Sequence, residues 1–133
     1  MKTRDYTLVC ISGQRHELSS VDRALRHERL GLVLSVLGYA HQEASGKYDG
    51  REEQSHVVHV YAPITAKIDR LRALAKAFEQ ESILVVYPTD ETEIQFTNES
   101  GYKTFGRWTE ISLHELSRYN GYTIVNDRAF TIQ

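Results

Sequence analysis

Hydrophobic residues along this chain switch between two spacings, and each switch marks an element. Tyr6-Thr7-Leu8-Val9-Cys10-Ile11 is a β-branched and aromatic run of strand length, closed by Ser12-Gly13. Ser19-Ser20-Val21-Asp22 has the form of a capping box, an acid three residues after a serine, and opens a helix. Val21, Leu25, Leu30, Val33, Leu34 and Leu37 then recur at roughly helical spacing until Gly38 ends it. Tyr39 to Glu43 is a weaker strand leading into a glycine-bracketed polar loop, Gly46 to Gly50. Ser55 to Tyr61 is a strand stopped by Ala62-Pro63, and Thr65 is the expected N-cap of a second helix. Ile68, Leu71, Leu74, Ala75 and Phe78 form that helix's apolar stripe. Ser82 to Tyr87 is nearly all apolar, as a strand buried on both faces is, and Glu91 to Phe96 alternates.

The order β-α-β-β-α-β-β predicts an α+β, ferredoxin-like β-α-β-β-α-β sandwich with extra C-terminal strands. Tyr102 to Trp108 reads as a short strand or ordered loop, and Thr109 to Leu116 as one or two helical turns. Tyr122 to Val125 and Arg128 to Ile132 read as a terminal hairpin around Asn126-Asp127. No linker, repeat or low-complexity tract divides the chain, so residues 1–133 are expected to form a single domain.

Composition narrows the class. A hydrophobic share of 41%, a charged share of 26% and a net charge of -2 describe an ordinary globular chain. They offer no basic footprint for nucleic acid. The single cysteine, Cys10, lies between Val9 and Ile11 and reads as a buried thiol in a reducing compartment. Met1 to Tyr6 lacks the apolar core of a signal peptide, and no apolar run approaches a membrane span. The expected location is the cytoplasm, away from membranes.

Most familiar chemistries find no foothold. The six histidines lack paired ligand spacing, and His56-x-x-His59 on a strand points to opposite faces, so neither metal nor cofactor is expected. The glycines form no dinucleotide or Walker pattern, and no serine elbow is present. What stands out is Tyr48 followed by Glu52 and Glu53. Adjacent carboxylates entering a strand point to opposite faces. Glu53, Ser55, Val57 and His59 share one face; Glu52, Gln54, His56, Val58 and Val60 share the other. A carboxylate beside a tyrosine at the mouth of a sheet suits a cationic ligand such as an amine or sulfonium.

Several segments together resemble the small phage-encoded S-adenosylmethionine (SAM) lyases, long described as SAM hydrolases. They are Gly46-x-Tyr48, Glu52-Glu53-x-Ser55 and the passage from helix to strand at Phe78-Glu79-Gln80-Glu81-Ser82-Ile83-Leu84-Val85-Val86. Arg26-His27-Glu28-Arg29, Gly121-Tyr122-Thr123-Ile124 and Phe130-Thr131-Ile132-Gln133 complete the set, in the family's order. The stretch Asp49-Gly50-Arg51 between tyrosine and glutamate pair is shorter than in a phage member of the family.

The resemblance implies a PII-like ferredoxin homotrimer with active sites between subunits. It also implies an intramolecular reaction, in which SAM's own carboxylate displaces 5′-methylthioadenosine and leaves homoserine lactone. Glu53 would hold the substrate's α-ammonium and Tyr48 would close over the same end, with Glu52 as the reserve carboxylate. Adenine would be met near Ser12-Gly13 and Gln80-Glu81-Ser82. Depletion of SAM by a phage enzyme would blunt host restriction. Two rivals share this scaffold: a lyase acting on a SAM–nucleotide conjugate, and a non-catalytic nucleotide-sensing trimer.

Overall fold

The computed structural model describes residues 1–98 and 101–133. Eight strands alternate with few helices: β1 (Thr7–Ile11), α1 (Ser20–Val36), β2 (Ala40–Tyr48), β3 (Arg51–Val60), α2 (Ile64–Ala77), β4 (Ser82–Val86), β5 (Glu91–Phe96), β6 (Tyr102–Ile111), β7 (Tyr122–Val125) and β8 (Arg128–Ile132). A 3₁₀ segment, Leu113–Arg118, precedes β7. All pairings are antiparallel, and the sheet closes on itself in the order β1-β3-β2-β7-β8-β6-β5-β4.

This closed barrel corrects the ferredoxin-like sandwich that the element order predicts. Strands β4, β1, β3 and β2 do lie side by side with the helices against them, but the sheet does not stop at β4 and β2. An open sheet would present two rows of unpaired backbone groups; closure removes both edges. The joint is β6, read from sequence as a short strand or loop followed by helical turns. It is one ten-residue strand that pairs with β5 through Tyr102–Arg107 and with β8 through Trp108–Ile111. Gly106, two residues before the change of partner, sits at φ 142, and a Cβ there would lie 2.8 Å from the Gln133 carbonyl oxygen. The PII-like fold falls with the sandwich, and a single chain encloses the barrel interior.

The alternation of side chains builds two cores from the same strands. Val9 and Ile11 of β1, Val58 and Val60 of β3, and Ile83 and Val85 of β4 face outward and pack with Leu30 and Leu34 of α1 and Ile68, Leu71 and Ala75 of α2. Leu8, Cys10, Val57 and Val86 face inward, with Ala44 and Trp108. Burial on both faces is why these strands read as continuous apolar runs.

Both helices depart in detail from the sequence reading. Ser19 caps α1 as expected, accepting from the Asp22 N–H at 3.1 Å. The buried stripe of α1 is His27, Leu30 and Leu34, however, and Val21 and Leu25 are 67% and 43% exposed. Helix α2 begins directly after Pro63, without a side-chain cap at Thr65. Among the described residues no helix is long and apolar enough to cross a membrane.

Candidate active site

The polar stretch Gly46–Gly50 is not a loop. Strand β2 runs through Tyr48, and Asp49-Gly50, with φ of 50° and 76°, makes a two-residue turn straight into β3. Positive φ at both central positions is the primed turn whose twist matches a hairpin. The turn sets the register, and the register sets the site. Tyr48 lies opposite Arg51, Gly46 opposite Glu53 and Ala44 opposite Ser55. Directly opposed residues share a face, and Ala44 and Val57 belong to the interior core. Tyr48, Arg51, Glu53 and Ser55 therefore point into the barrel, while Glu52 and Gln54 point out.

The interior opens at this end into a cavity of ≈ 720 Å³, inside the roughly 300–1,000 Å³ range of small-molecule sites. Its walls divide by chemistry. Cys10, Leu84, Ile94, Trp108, Phe130 and Ile132 make an apolar side, where the Trp108 and Phe130 rings stack at 5.0 Å. Ser12, Tyr48, Glu53, Ser55 and Thr123 make a polar side, and His16, Arg51, Glu81 and Arg118 add charged or titratable groups. Such a cavity can take a ligand with an aromatic or apolar body and a compact polar end.

The polar side is held firmly. The Tyr48 hydroxyl lies 2.7 Å from Thr123 Oγ1 on β7, across the seam that closes the barrel. Gly46 makes this reach possible: a Cβ there would stand 2.2 Å from the Tyr122 carbonyl oxygen and 2.9 Å from the Tyr48 hydroxyl. Ser12 donates to the Gln54 carbonyl at 3.0 Å, and Gln14 Oε1 accepts from the Gln54 N–H at 2.8 Å. Both bonds end on the Gln54 backbone, directly after Glu53, and tie the chain leaving β1 to β3. Ser55 Oγ is buried without a hydrogen-bond partner among the described residues. A buried hydroxyl left unmet is costly, so a bound polar group is its natural complement.

Burial shapes the acid–base character. It raises the Glu53 pKa, against the nearby Ser12 hydroxyl and the charge of His16. It also raises that of Tyr48, with the Thr123 hydroxyl opposing, so the phenol stays protonated and able to donate. The Cys10 thiol is pushed up to about 12 by the same cause, which leaves it far from the thiolate a nucleophile requires.

The structure sorts the sequence candidates. Tyr48, Glu53, Ser12 and Ser82 line the cavity. Glu52 does not; it borders an adjoining outer cleft with Arg23, Gly46 and Gln54, which Glu53 also edges. Gly13 is a packing position, where a Cβ would meet the Arg26 carbonyl oxygen at 2.9 Å. Gln80 ties loops together, donating to the Gln14 carbonyl at 2.9 Å and the Phe78 carbonyl at 3.2 Å. Sequence reasoning passed over Arg51, Thr123, Trp108 and Phe130. For Arg51 the signal was present, since it shares the alternation of Glu53. Among the described residues no three His, Cys, Asp or Glu side chains group as a metal ion would require.

The site is thus a half-apolar, half-polar barrel interior with one semi-buried carboxylate, suited to a cation that carries an aromatic body. No curated protein matches the chain in sequence. The S-Adenosylmethionine lyase family model, however, matches residues 9–133, from within the first strand through the last. That match takes in every cavity residue named above, and the chain belongs to the S-adenosylmethionine lyase family.

Proposed function

We propose that the barrel interior binds SAM and cleaves it by intramolecular displacement. The observation that supports this best is Glu53, a carboxylate aimed inward beside the Tyr48 and Ser55 hydroxyls in a cavity with an apolar far wall. Glu53 receives the α-ammonium and stands near the sulfonium, and a carboxylate in a site emptied of water attracts such charges more strongly than in bulk. Tyr48 and Ser55 supply hydrogen bonds to the amino-acid end. The adenosyl portion takes the aromatic side.

The reaction balances without a protein nucleophile or a base. One oxygen of the substrate carboxylate, already ionised at neutral pH, attacks the γ-carbon as the carbon–sulfur bond breaks. The bonding pair goes to sulfur and cancels its positive charge. The products are 5′-methylthioadenosine and homoserine lactone. The protein's task is to fold the methionine chain so that oxygen meets carbon, and such positioning is worth about 7–11 kcal/mol at best. Removal of SAM would withhold the methyl donor from restriction and methylation systems, a role fitting a phage counter-defence protein.

The test is incubation with SAM in oxygen-18 water, followed by mass spectrometry. Methylthioadenosine with unlabelled homoserine lactone appearing before homoserine supports the lyase. Homoserine labelled in its side-chain hydroxyl from the outset would replace it with a hydrolase. Intact, bound SAM would replace it with a sensor, and no binding would redirect the search to a SAM–nucleotide conjugate.

A further inference from the structure

Two arginines line the cavity, and they differ in how their charge is met. Arg118 faces Glu115 at 3.5 Å. Arg51 has no carboxylate within ion-pair distance among the described residues. Its Nη1 lies instead 3.1 Å from His16 Nδ1 and 3.0 Å from His16 Nε2. The guanidinium is thereby braced against an imidazole at the mouth of the cavity, and its other N–H groups meet no hydrogen-bond partner among the described residues. Arg51 and Glu53 are alternate residues of β3, on one face, about 6.8 Å apart along the strand at about 3.4 Å per residue. A cation and an anion at that separation, both turned into one cavity, match the two ends of a zwitterionic α-amino acid.

We propose that Arg51 is the carboxylate anchor of the site, pairing with the amino-acid carboxylate of the substrate while Glu53 takes its ammonium, and that His16 is a positioning residue for the guanidinium. The inference rests on the SAM reading of the cavity, which already requires a free α-carboxylate, and adds to it the side chain that holds and orients that carboxylate. Arginine presents N–H groups in a fixed fork. Holding one carboxylate oxygen leaves the other to approach the γ-carbon, and it fixes the rotation of the group that must attack. A ligand lacking the carboxylate forgoes this contact and has no nucleophile.

The experiment compares steady-state cleavage of SAM with competitive inhibition by decarboxylated SAM, which keeps the sulfonium, adenosine and amine. Arg51→Ala is expected to raise KM for SAM by about 10- to 100-fold, the range for loss of a charge-assisted hydrogen bond. Its inhibition constant for decarboxylated SAM should stay within about two-fold of wild type, because that ligand never met the guanidinium. Arg51→Lys should recover part of the KM. His16→Ala should shift KM in the same direction by less. An equal loss for both ligands in Arg51→Ala would reveal a structural role and overturn the proposal, as would no change for either. Wild-type protein that neither cleaves nor binds SAM would overturn the site reading itself, and this anchor with it; wild-type cleavage with an indifferent Arg51→Ala would overturn the anchor alone.

Discussion

The Tyr48 hydroxyl and Thr123 Oγ1 stand 2.7 Å apart, joining residues 75 positions distant in sequence across a short seam of the barrel. Strands β2 and β7 share only the pairs Ser45–Ile124, Gly46–Thr123 and Lys47–Tyr122. The bond therefore links barrel closure to the proposed active site. Tyr48→Phe and Thr123→Val should each lower stability by about 1 kcal/mol, the usual net value of a hydrogen bond. Denaturant melts will measure this. Only Tyr48→Phe should also slow SAM cleavage by more than the lost stability explains, since the phenol is proposed to touch substrate.

Gly46→Ala tests the same seam from the backbone. The added methyl would press on the Tyr122 carbonyl at 2.2 Å, which the β-ladder holds in place. The expected cost is about 1–3 kcal/mol, as for overpacking elsewhere, with loss of activity because Tyr48 must also move. A variant of wild-type stability would show that β2 and β7 are free to separate.

Glu53→Gln should abolish most SAM cleavage, by roughly 100-fold or more, as for removal of a preorganised electrostatic contact. Glu52→Gln, outside the cavity, should cleave SAM normally. The stability effect runs the other way. Burial raises the Glu53 pKa above its unfolded value, so the folded protein binds the proton more tightly. Its favourable contribution is complete below the unfolded pKa and is lost as pH rises through the folded one. At neutral pH the charged carboxylate therefore opposes folding, and Glu53→Gln should melt at a higher temperature than wild type. Cleavage by wild type should fall on acidification at a pH above that of an ordinary glutamate. Equal cleavage by Glu53→Gln and wild type would remove Glu53 from the site.

Acid sensitivity should arise chiefly on the opposite face of β3. The rings of His27 and His56 stack at 4.2 Å, His41 meets His56 edge-on at 5.2 Å, and His56 Nε2 donates to the His27 carbonyl at 3.0 Å. Burial lowers the His56 pKa; the His27 carbonyl and Glu43 oppose this, and the charges of His27 and His41 add to it. A depressed histidine pKa means that the unfolded chain binds more protons, so stability rises with pH in the window between folded and unfolded values. Thermal melts should be level above about pH 6.5, the unfolded histidine value, and fall on acidification below it. His56→Gln should flatten the slope. An unchanged slope would place the effect at His59, whose pKa burial also lowers, with Arg4 adding.

The local facts were legible without coordinates. Two-residue alternation assigns Glu53 and Ser55 to one side of β3 and Glu52 and His56 to the other, because the pleat is a property of the strand alone. The capping serine of α1 and the apolar runs of β1 and β4 were readable for the same reason. The hairpin turn at Asp49-Gly50 was not, because a polar, glycine-bracketed stretch disguised it as a loop and hid the alternation that turns Arg51 inward. The sequence also carries the family relationship.

What only the tertiary structure decided is the closure. An element order of strands and helices is compatible with an open sheet or a barrel, and the choice depends on contacts of long sequence separation. Strand β6 changes partner from β5 to β8 between Arg107 and Trp108, and β7 reaches back to β2 through three residue pairs. No local periodicity encodes those pairings; they form because a closed sheet leaves no unpaired edge. Closure brings Thr123, Trp108 and Phe130 around Tyr48 and Glu53, and so turns one face of a hairpin into an enclosed site.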